Sequence, residues 1–294
     1  MSDSNRTDTI AIIGAGEMGA AVGQRLRESG ARVITTLKDR SSASVERVRH
    51  ANLEVIDDDN LLVRESAFIL SIVPPGQATV VAERFREPLI RADVKPIFVE
   101  CNAISPATVR LIADSLAGTG CGFVDAGIIG RPPRPGEKGT HFYASGELAH
   151  QLTTRLGSLA IEIAVVDGGI GAASALKMSY AGLTKGFIAV GAAMIGAASR
   201  AGVASALREE LAHSQPRLLA MLATRIPAMY PKAYRWVSEM EQIAKFLGGA
   251  ETGGEIFTGA ARFYEQLAAD FEQDRDAAQS LAVLSSFLHA HGGR

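Results

Sequence analysis

Three glycines at fixed spacing, Gly14, Gly16 and Gly19, follow directly on the apolar run 9–13. At a turn from strand to helix this spacing suits one chemistry. Gly14 permits a tight turn, Gly16 lets backbone approach a pyrophosphate, and Gly19 lets the helix pack on the strand. Glu17 and Met18 open that helix. Its first N–H groups and the positive end of its dipole favour phosphate oxygens. The pattern alone is weak, and a tight turn without ligand competes with it; the strand–helix–strand context gives it force.

A dinucleotide site of this kind usually carries an acid at the end of its second strand, about 20 residues after the first glycine, to hold a ribose 2′-hydroxyl. Here the segment reads Thr35-Thr36-Leu37-Lys38-Asp39-Arg40-Ser41-Ser42. Thr36 takes the acidic position. Lys38, Arg40, Ser41 and Ser42 offer the charge and hydroxyls that suit a 2′-phosphate. NADP(H) is therefore favoured over NAD(H). Asp39 argues the other way, since a shifted register would make it the ribose carboxylate, and a solvated turn also explains Lys38 and Arg40. Val73 and Pro74 end one apolar run and Asn102 follows another, at the sheet edge where a cofactor is met. The prolines would stiffen a loop against ribose or nicotinamide, and Asn102 would orient the nicotinamide amide or substrate. A strand stop and a turn residue are the plainer alternatives.

Lys177 stands in a small, apolar helix beside Ala173, Leu176, Met178 and Ala181. A lysine there must snorkel outward or meet a polar cleft. Desolvation and a nearby cofactor cation would lower its pKa toward the working range for proton transfer. Tyr180, three residues on, shares nearly the same helix face. It would bond substrate or give a proton; a packing tyrosine with its hydroxyl at the rim explains it too. Cys101 and Cys121 are too few for a disulfide scaffold or a Cys-rich zinc site, and the six histidines show no metal spacing, so no metal is expected. His289 and His291 read as solvated tail residues.

The elements that must position these groups alternate. Strands are expected over 9–13, 32–37, 67–73, 96–100, 122–125, 141–144 and 161–166, and helices over 17–29, 41–50, 77–85, 106–116 and 147–156. Repeated strand–helix units imply a mainly parallel sheet covered on both faces. After Gly168-Gly169 the pattern turns helical. One helix over 172–200, about 44 Å long, is apolar almost all round, which marks a buried helix. Helices follow over 204–213, 217–226, 234–247, 259–273 and 277–289. The expectation is an α/β Rossmann-type doubly wound sheet (1–168) and an all-α substrate and dimerisation domain (169–294), linked by the long helix. Glycines at 182, 186, 191 and 196 in that helix imply close packing, within the chain or across a homodimer.

The 294 residues fit two domains, and 30 basic against 32 acidic residues argues against a nucleic-acid face. The polar start, 1–8, lacks the features of a signal peptide. The longest apolar run, 186–199, falls short of the ~20 residues of a membrane span. A soluble, cytoplasmic protein without membrane partners is expected.

Four segments together resemble the β-hydroxyacid dehydrogenase group related to 6-phosphogluconate dehydrogenase. They are Gly14-x-Gly16-x-Met18-Gly19-x-x-x-Gly23-x-x-Leu26-x-x-x-Gly30, Glu100-Cys101-Asn102-Ala103-Ile104-Ser105-Pro106, Asp125-Ala126-Gly127-Ile128-Ile129-Gly130, and Gly169-x-Gly171-x5-Lys177. The resemblance covers about the first 180 residues and is specific in combination. It implies hydride transfer between a nicotinamide and a small hydroxy acid, with Lys177 as the proton acceptor. The remainder, with Trp236-Val237-Ser238-Glu239-Met240-Glu241-Gln242-Ile243-Ala244, is similar to the divergent C-terminal domain of phosphogluconate dehydrogenase-like proteins. Departures matter. Members carry serine where Ile129 stands, before Gly130, and asparagine where Ala181 stands. Arg131, Arg134 or Lys138 would replace the lost carboxylate contacts, and Glu239 is a further substrate candidate. A Pro-rich surface loop and a charged helix face are the plainer explanations. The two losses keep imine reduction and a non-catalytic nucleotide-binding protein open as alternatives.

Overall fold

The computed structural model describes residues 9–38, 40–134, 136–137, 139–248 and 252–273, with 282, 284 and 287 beyond them. Asp39, Lys138, His289, His291 and most of the expected helix over 277–289 lie outside the described residues.

The chain divides into two compact units, Met1–Met178 and Ser179–Arg294. The first is built on eight strands: β1 (Thr9–Ile13), β2 (Arg32–Thr35), β3 (Glu54–Val55), β4 (Phe68–Ser71), β5 (Ile97–Glu100), β6 (Gly122–Gly130), β7 (Thr140–Ser145) and β8 (Ile163–Val165). Their order is β3-β2-β1-β4-β5-β6-β7-β8. All pairs are parallel except β6 with β7. Strands β1, β4 and β5 are buried along their whole length, as continuous apolar runs require when both sheet faces are covered. On one face pack α1 (Glu17–Glu28), α2 (Ser42–Ala51) and α6 (Ala149–Gly157), through Val22, Leu26, Val48 and Leu152. On the other pack α3 (Asp59–Glu65), α4 (Ala78–Arg91) and α5 (Pro106–Ala117), through Leu62, Phe85, Leu89 and Ile112.

Three local expectations are corrected. Strand β6 does not stop at Asp125 but runs to Gly130, because β7 returns antiparallel and pairs Gly130 with Thr140; glycines in the run hide its strand character. Helix α4 does not end near Phe85 but continues to Arg91 across Pro88, which is buried on the helix along with Phe85 and Leu89. Helix α3, absent from the expected elements, is capped by Asp58, which accepts from the Asn60 and Leu61 N–H groups at 2.9 and 3.3 Å.

The long helix runs from Ala172 to Arg200 as α7 (Ala172–Ala181), a π turn (Gly182–Gly186) and α8 (Phe187–Arg200). Its first turn is tied to the sheet, so α7 begins in the first unit. Beyond it stand α9 (Ala204–Ser214), α10 (Pro216–Met229), α11 (Ala233–Leu247) and α12 (Gly254–Gln273). In this second unit Trp236 meets Tyr264 edge-on at 5.3 Å, and Tyr230 and Tyr264 are fully buried. A Cβ on Gly186 would come within 2.7 Å of the Phe257 ring, so that glycine is explained by packing inside the unit. The long helix is not buried all round, as its composition implies. Ile188, Ala189, Ala192 and Ile195 are buried, but Tyr180, Leu183, Phe187, Val190 and Met194 are exposed. Small residues fill the buried side, so the composition alone cannot tell the two faces apart. The helix spans 29 residues and holds an 18-residue stretch with a mean hydropathy of 1.5, so it exceeds the 186–199 run and has the length and composition to cross a bilayer; 39% of that stretch is buried inside the protein.

Candidate functional site

Strand order reverses between β1 and β4, which leaves a crevice beyond their carboxyl ends. The glycine loop lies there. Gly14 has φ +101°, and a Cβ on it would sit 2.3 Å from the Ile72 carbonyl oxygen. A Cβ on Gly19 would sit 2.1 Å from the Gly14 carbonyl oxygen. Both glycines are therefore demanded by the protein's own packing. Gly16 is different: it is exposed, and a Cβ there would meet nothing within 4 Å. Nothing in the protein's own packing demands a glycine there, and the backbone stays open to approach from outside. Gly16 is also the N-cap of α1 and provides no side-chain cap, so the first-turn N–H groups face that space. Glu17 is exposed and Met18 half-buried against the core. These features fit a dinucleotide pyrophosphate.

At the end of β2 Thr36 is buried. Its hydroxyl donates to Asp57 Oδ1 at 3.2 Å and accepts from Arg84 Nη2 at 3.3 Å. Asp57 Oδ1 also accepts the Leu37 N–H at 2.8 Å. Arg84 is held bidentately by Asp59, at 2.7 and 2.6 Å. A carboxylate and a guanidinium thus reach the β2 end, one from the segment after β3 and one from α4. Neither has a local signature, because 21 and 48 residues separate them from Thr36. Lys38 is exposed and Arg40 half-buried. Ser41 caps α2, its hydroxyl accepting the Ser44 N–H.

Asn102 joins strand ends. Its Oδ1 accepts the Val73 N–H at 2.6 Å, its Nδ2 donates to Ser71 Oγ at 3.0 Å, and its own N–H donates to Glu100 Oε1 at 2.9 Å. The side chain thus braces β4 against β5 and fixes Val73 at the crevice, while Pro74 stays exposed beside it.

Lys177 is placed by a clamp. Asp125 is fully buried, and its carboxylate accepts four hydrogen bonds: from Ser145 Oγ, Gly171 N–H and Ser174 N–H, each at 3.0 Å, and from Ser174 Oγ at 2.6 Å. Ser145 Oγ accepts the Ala173 N–H at 3.0 Å. Asp125 and Ser145 so satisfy the orphan donors at the start of α7. Gly127 completes the fit: a Cβ on it would lie 3.0 Å from the Ala173 carbonyl oxygen and 3.2 Å from Lys177 Cβ. Lys177 then reaches the end of β5, with Nζ 3.5 Å from the Cys101 carbonyl oxygen. Burial pushes the Cys101 thiol up, with Glu100 next in effect, so it packs as a neutral group. Nothing in the local sequence marks Ser145, Ser174 or the clamp role of Asp125. A lone acid within an apolar strand is the only trace of it.

The remaining candidates scatter. Ile129 is half-buried on β6, opposite His141. Gly130 has φ +124° and turns the chain, and Arg131 is exposed. Tyr180 is half exposed, one turn after Lys177 on α7, and Ala181 is buried. Glu239 is not a free surface acid: it is buried and paired with Lys185, whose ammonium lies 5.2 Å from the Trp236 ring centre.

A mostly parallel sheet with this glycine cradle at its switch point defines a Rossmann-type dinucleotide-binding fold. Residues 9–153 match the NAD binding domain of 6-phosphogluconate dehydrogenase, and residues 198–267 match a domain of unknown function (DUF1932). A conserved protein of unknown function, described as structurally similar to 3-hydroxyacid dehydrogenases, is 29% identical over 89% of this chain and 97% of its own, with TM-score 0.67. The 3-hydroxyisobutyrate dehydrogenase of Mycobacterium tuberculosis is 18% identical over 97% and 99%, with TM-score 0.59. The imine reductase of Myxococcus stipitatus, solved with NADP+, is 18% identical over 95% and 99%, with TM-score 0.53. The last two likenesses are of fold.

Proposed function

We propose that the chain is an NADP-dependent oxidoreductase acting on a small hydroxy-acid-type alcohol. The observation that carries this is Lys177, fixed by the Asp125 clamp at the carboxyl end of β5. The glycine loop and the α1 N-terminus hold the pyrophosphate. Lys38, Arg40 and Ser41 stand near the 2′ position, and Arg84 adds a guanidinium already oriented by Asp59. A nicotinamide held there would supply the hydride acceptor for the carbinol carbon. Lys177 as neutral amine takes the hydroxyl proton, and in the reverse direction its ammonium returns it. Tyr180 lies one turn on, available to bond substrate.

Cofactor choice is tested by calorimetry. NADPH is expected to bind at least about tenfold tighter than NADH, roughly 1.4 kcal/mol, and Arg84→Ala to narrow that gap. Tighter binding of NADH would overturn the 2′-phosphate assignment and make Asp57 the ribose carboxylate.

Imine reduction is the second reading. Ile129 and Ala181 place apolar groups where the dehydrogenases this chain resembles carry polar ones, which favours a substrate without a carboxylate. The same lysine would then donate a proton to nitrogen while hydride adds to carbon.

We also infer a homodimer. Tyr180, Leu183, Phe187, Val190 and Met194 alternate three and four residues apart and are all exposed. That is the spacing of a helix-pair seam, and it is self-complementary across a two-fold axis. Leu183→Glu combined with Val190→Glu is expected to give a monomer by sedimentation. An unchanged mass would remove this face from the interface.

A further inference from the structure

From its place after β5, Asn102 is expected to touch a nicotinamide or a substrate. Its side chain is instead engaged inside the protein. The residue is 3% exposed. Its amide holds the Val73 N–H through Oδ1 at 2.6 Å and Ser71 Oγ through Nδ2 at 3.0 Å, and its backbone N–H donates to Glu100 Oε1 at 2.9 Å. An amide buried this deeply is tolerated because its groups are paired.

Two lines of contact leave this residue. One reaches the glycine loop. Asn102 fixes the Val73 backbone, and Val73 lies against Gly14: a Cβ on that glycine would sit 2.6 Å from Val73 Cγ1. The other reaches Lys177. The turn from Glu100 to Asn102 presents the Cys101 carbonyl oxygen to Lys177 Nζ at 3.5 Å. Ser71 supports both lines, its hydroxyl accepting from Asn102 and its carbonyl oxygen accepting the Cys101 N–H at 3.0 Å.

We propose that Asn102 is a positioning residue that sets the spacing between the dinucleotide loop and Lys177. The proposal rests on the reading of these two as cofactor site and proton acceptor. Oxidation of an alcohol takes a hydride from carbon and a proton from the oxygen on that carbon. Cofactor and lysine must therefore meet one small group together, and a misplacement of about 1 Å costs about 100-fold in rate. One buried amide, bonded toward the loop on one side and turned toward the lysine on the other, holds that spacing without touching substrate.

Asn102→Ala leaves the Val73 N–H without its acceptor and Ser71 without its donor. Two readings that need no turnover should then move together in the full-length protein. By calorimetry NADPH binds about tenfold more weakly, the scale of one orphaned buried donor. Lys177, released from the Cys101 carbonyl, is acetylated several-fold faster by acetic anhydride. This is read by mass spectrometry against exposed Lys38. In turnover, kcat for hydroxy-acid oxidation falls about 10- to 100-fold while KM moves little. The isotope effect with substrate deuterated at the carbinol carbon rises, because hydride transfer has slowed. A purely structural role would lower the binding stoichiometry and kcat, with Kd and the isotope effect unchanged, and would overturn the proposal.

Ser71→Ala takes one bond from the same brace and keeps the Val73 contact. It should show smaller shifts in the same directions, and it carries the test if Asn102→Ala fails to fold. Movement of NADPH affinity or of Lys177 reactivity alone, or of neither, overturns the proposal. Joint shifts in a protein that turns over no hydroxy acid or imine would leave this inference standing and sink the oxidoreductase reading. Lys177-dependent turnover that is indifferent to Asn102→Ala and Ser71→Ala would do the reverse.

Discussion

Lys177→Ala is expected to lower kcat for alcohol oxidation by about 100- to 10,000-fold, the range that a positioned proton acceptor contributes. NADPH affinity should move by no more than a few-fold, because the glycine loop and the α1 N-terminus lie on β1 and α1 rather than on α7. Lys177→Met keeps the stem that packs against Gly127 and removes only the amine, so it separates chemistry from packing. Equal losses in both variants locate the effect at Nζ. Steady-state kinetics with calorimetric NADPH titration decides the matter, and turnover retained in Lys177→Met would end the base assignment.

Asp125→Ala is expected to produce the largest loss of stability. It strips the acceptor from two backbone N–H groups and two hydroxyls in a fully buried place. Orphaning buried donors costs about 1–3 kcal/mol each before relaxation. Partial rearrangement leaves a total of about 3–5 kcal/mol, comparable to breaking a buried charge interaction. At about 2–4 °C per kcal/mol for a unit of this size, the melting temperature should fall by roughly 10 °C. Turnover should fall as well, because the first turn of α7 aims Lys177. Ser145→Ala removes one donor to Asp125 and the acceptor of the Ala173 N–H, and its effect should be nearer 1 kcal/mol. Thermal unfolding of both variants by circular dichroism checks the order. A melting temperature unmoved in Asp125→Ala would mean that α7 is held by other contacts.

The parts of this protein legible from its sequence are those written in local spacing. The glycine loop can be read because a tight turn, a close approach and a helix contact follow one another within six residues. The parallel sheet can be read because buried strands become unbroken apolar runs. Lys177 can be read because it interrupts a stretch of small residues. What stays hidden is written across distance. Asp125 meets Ser174 from 49 residues away, and no window along the chain shows that an acid in a strand will cap a later helix. Arg84 reaches Thr36 in the same way. Glu239 reads as surface charge until the π turn delivers Lys185 to it. The exposed stripe on the long helix is visible as a three-and-four spacing, but alanines and glycines around it give the helix the composition of a buried one.

The central claim is that Lys177 and a nicotinamide cofactor together carry out hydride transfer. The most direct test incubates the wild type and Lys177→Met with NADP+ and small hydroxy acids, and with NADPH and cyclic imines, while the absorbance of the reduced nicotinamide is followed. The expected result is absorbance gained with at least one hydroxy acid in the wild type and lost in Lys177→Met. Tight NADPH binding with no absorbance change on either panel would contradict the account and make the chain a nucleotide-binding protein without catalysis.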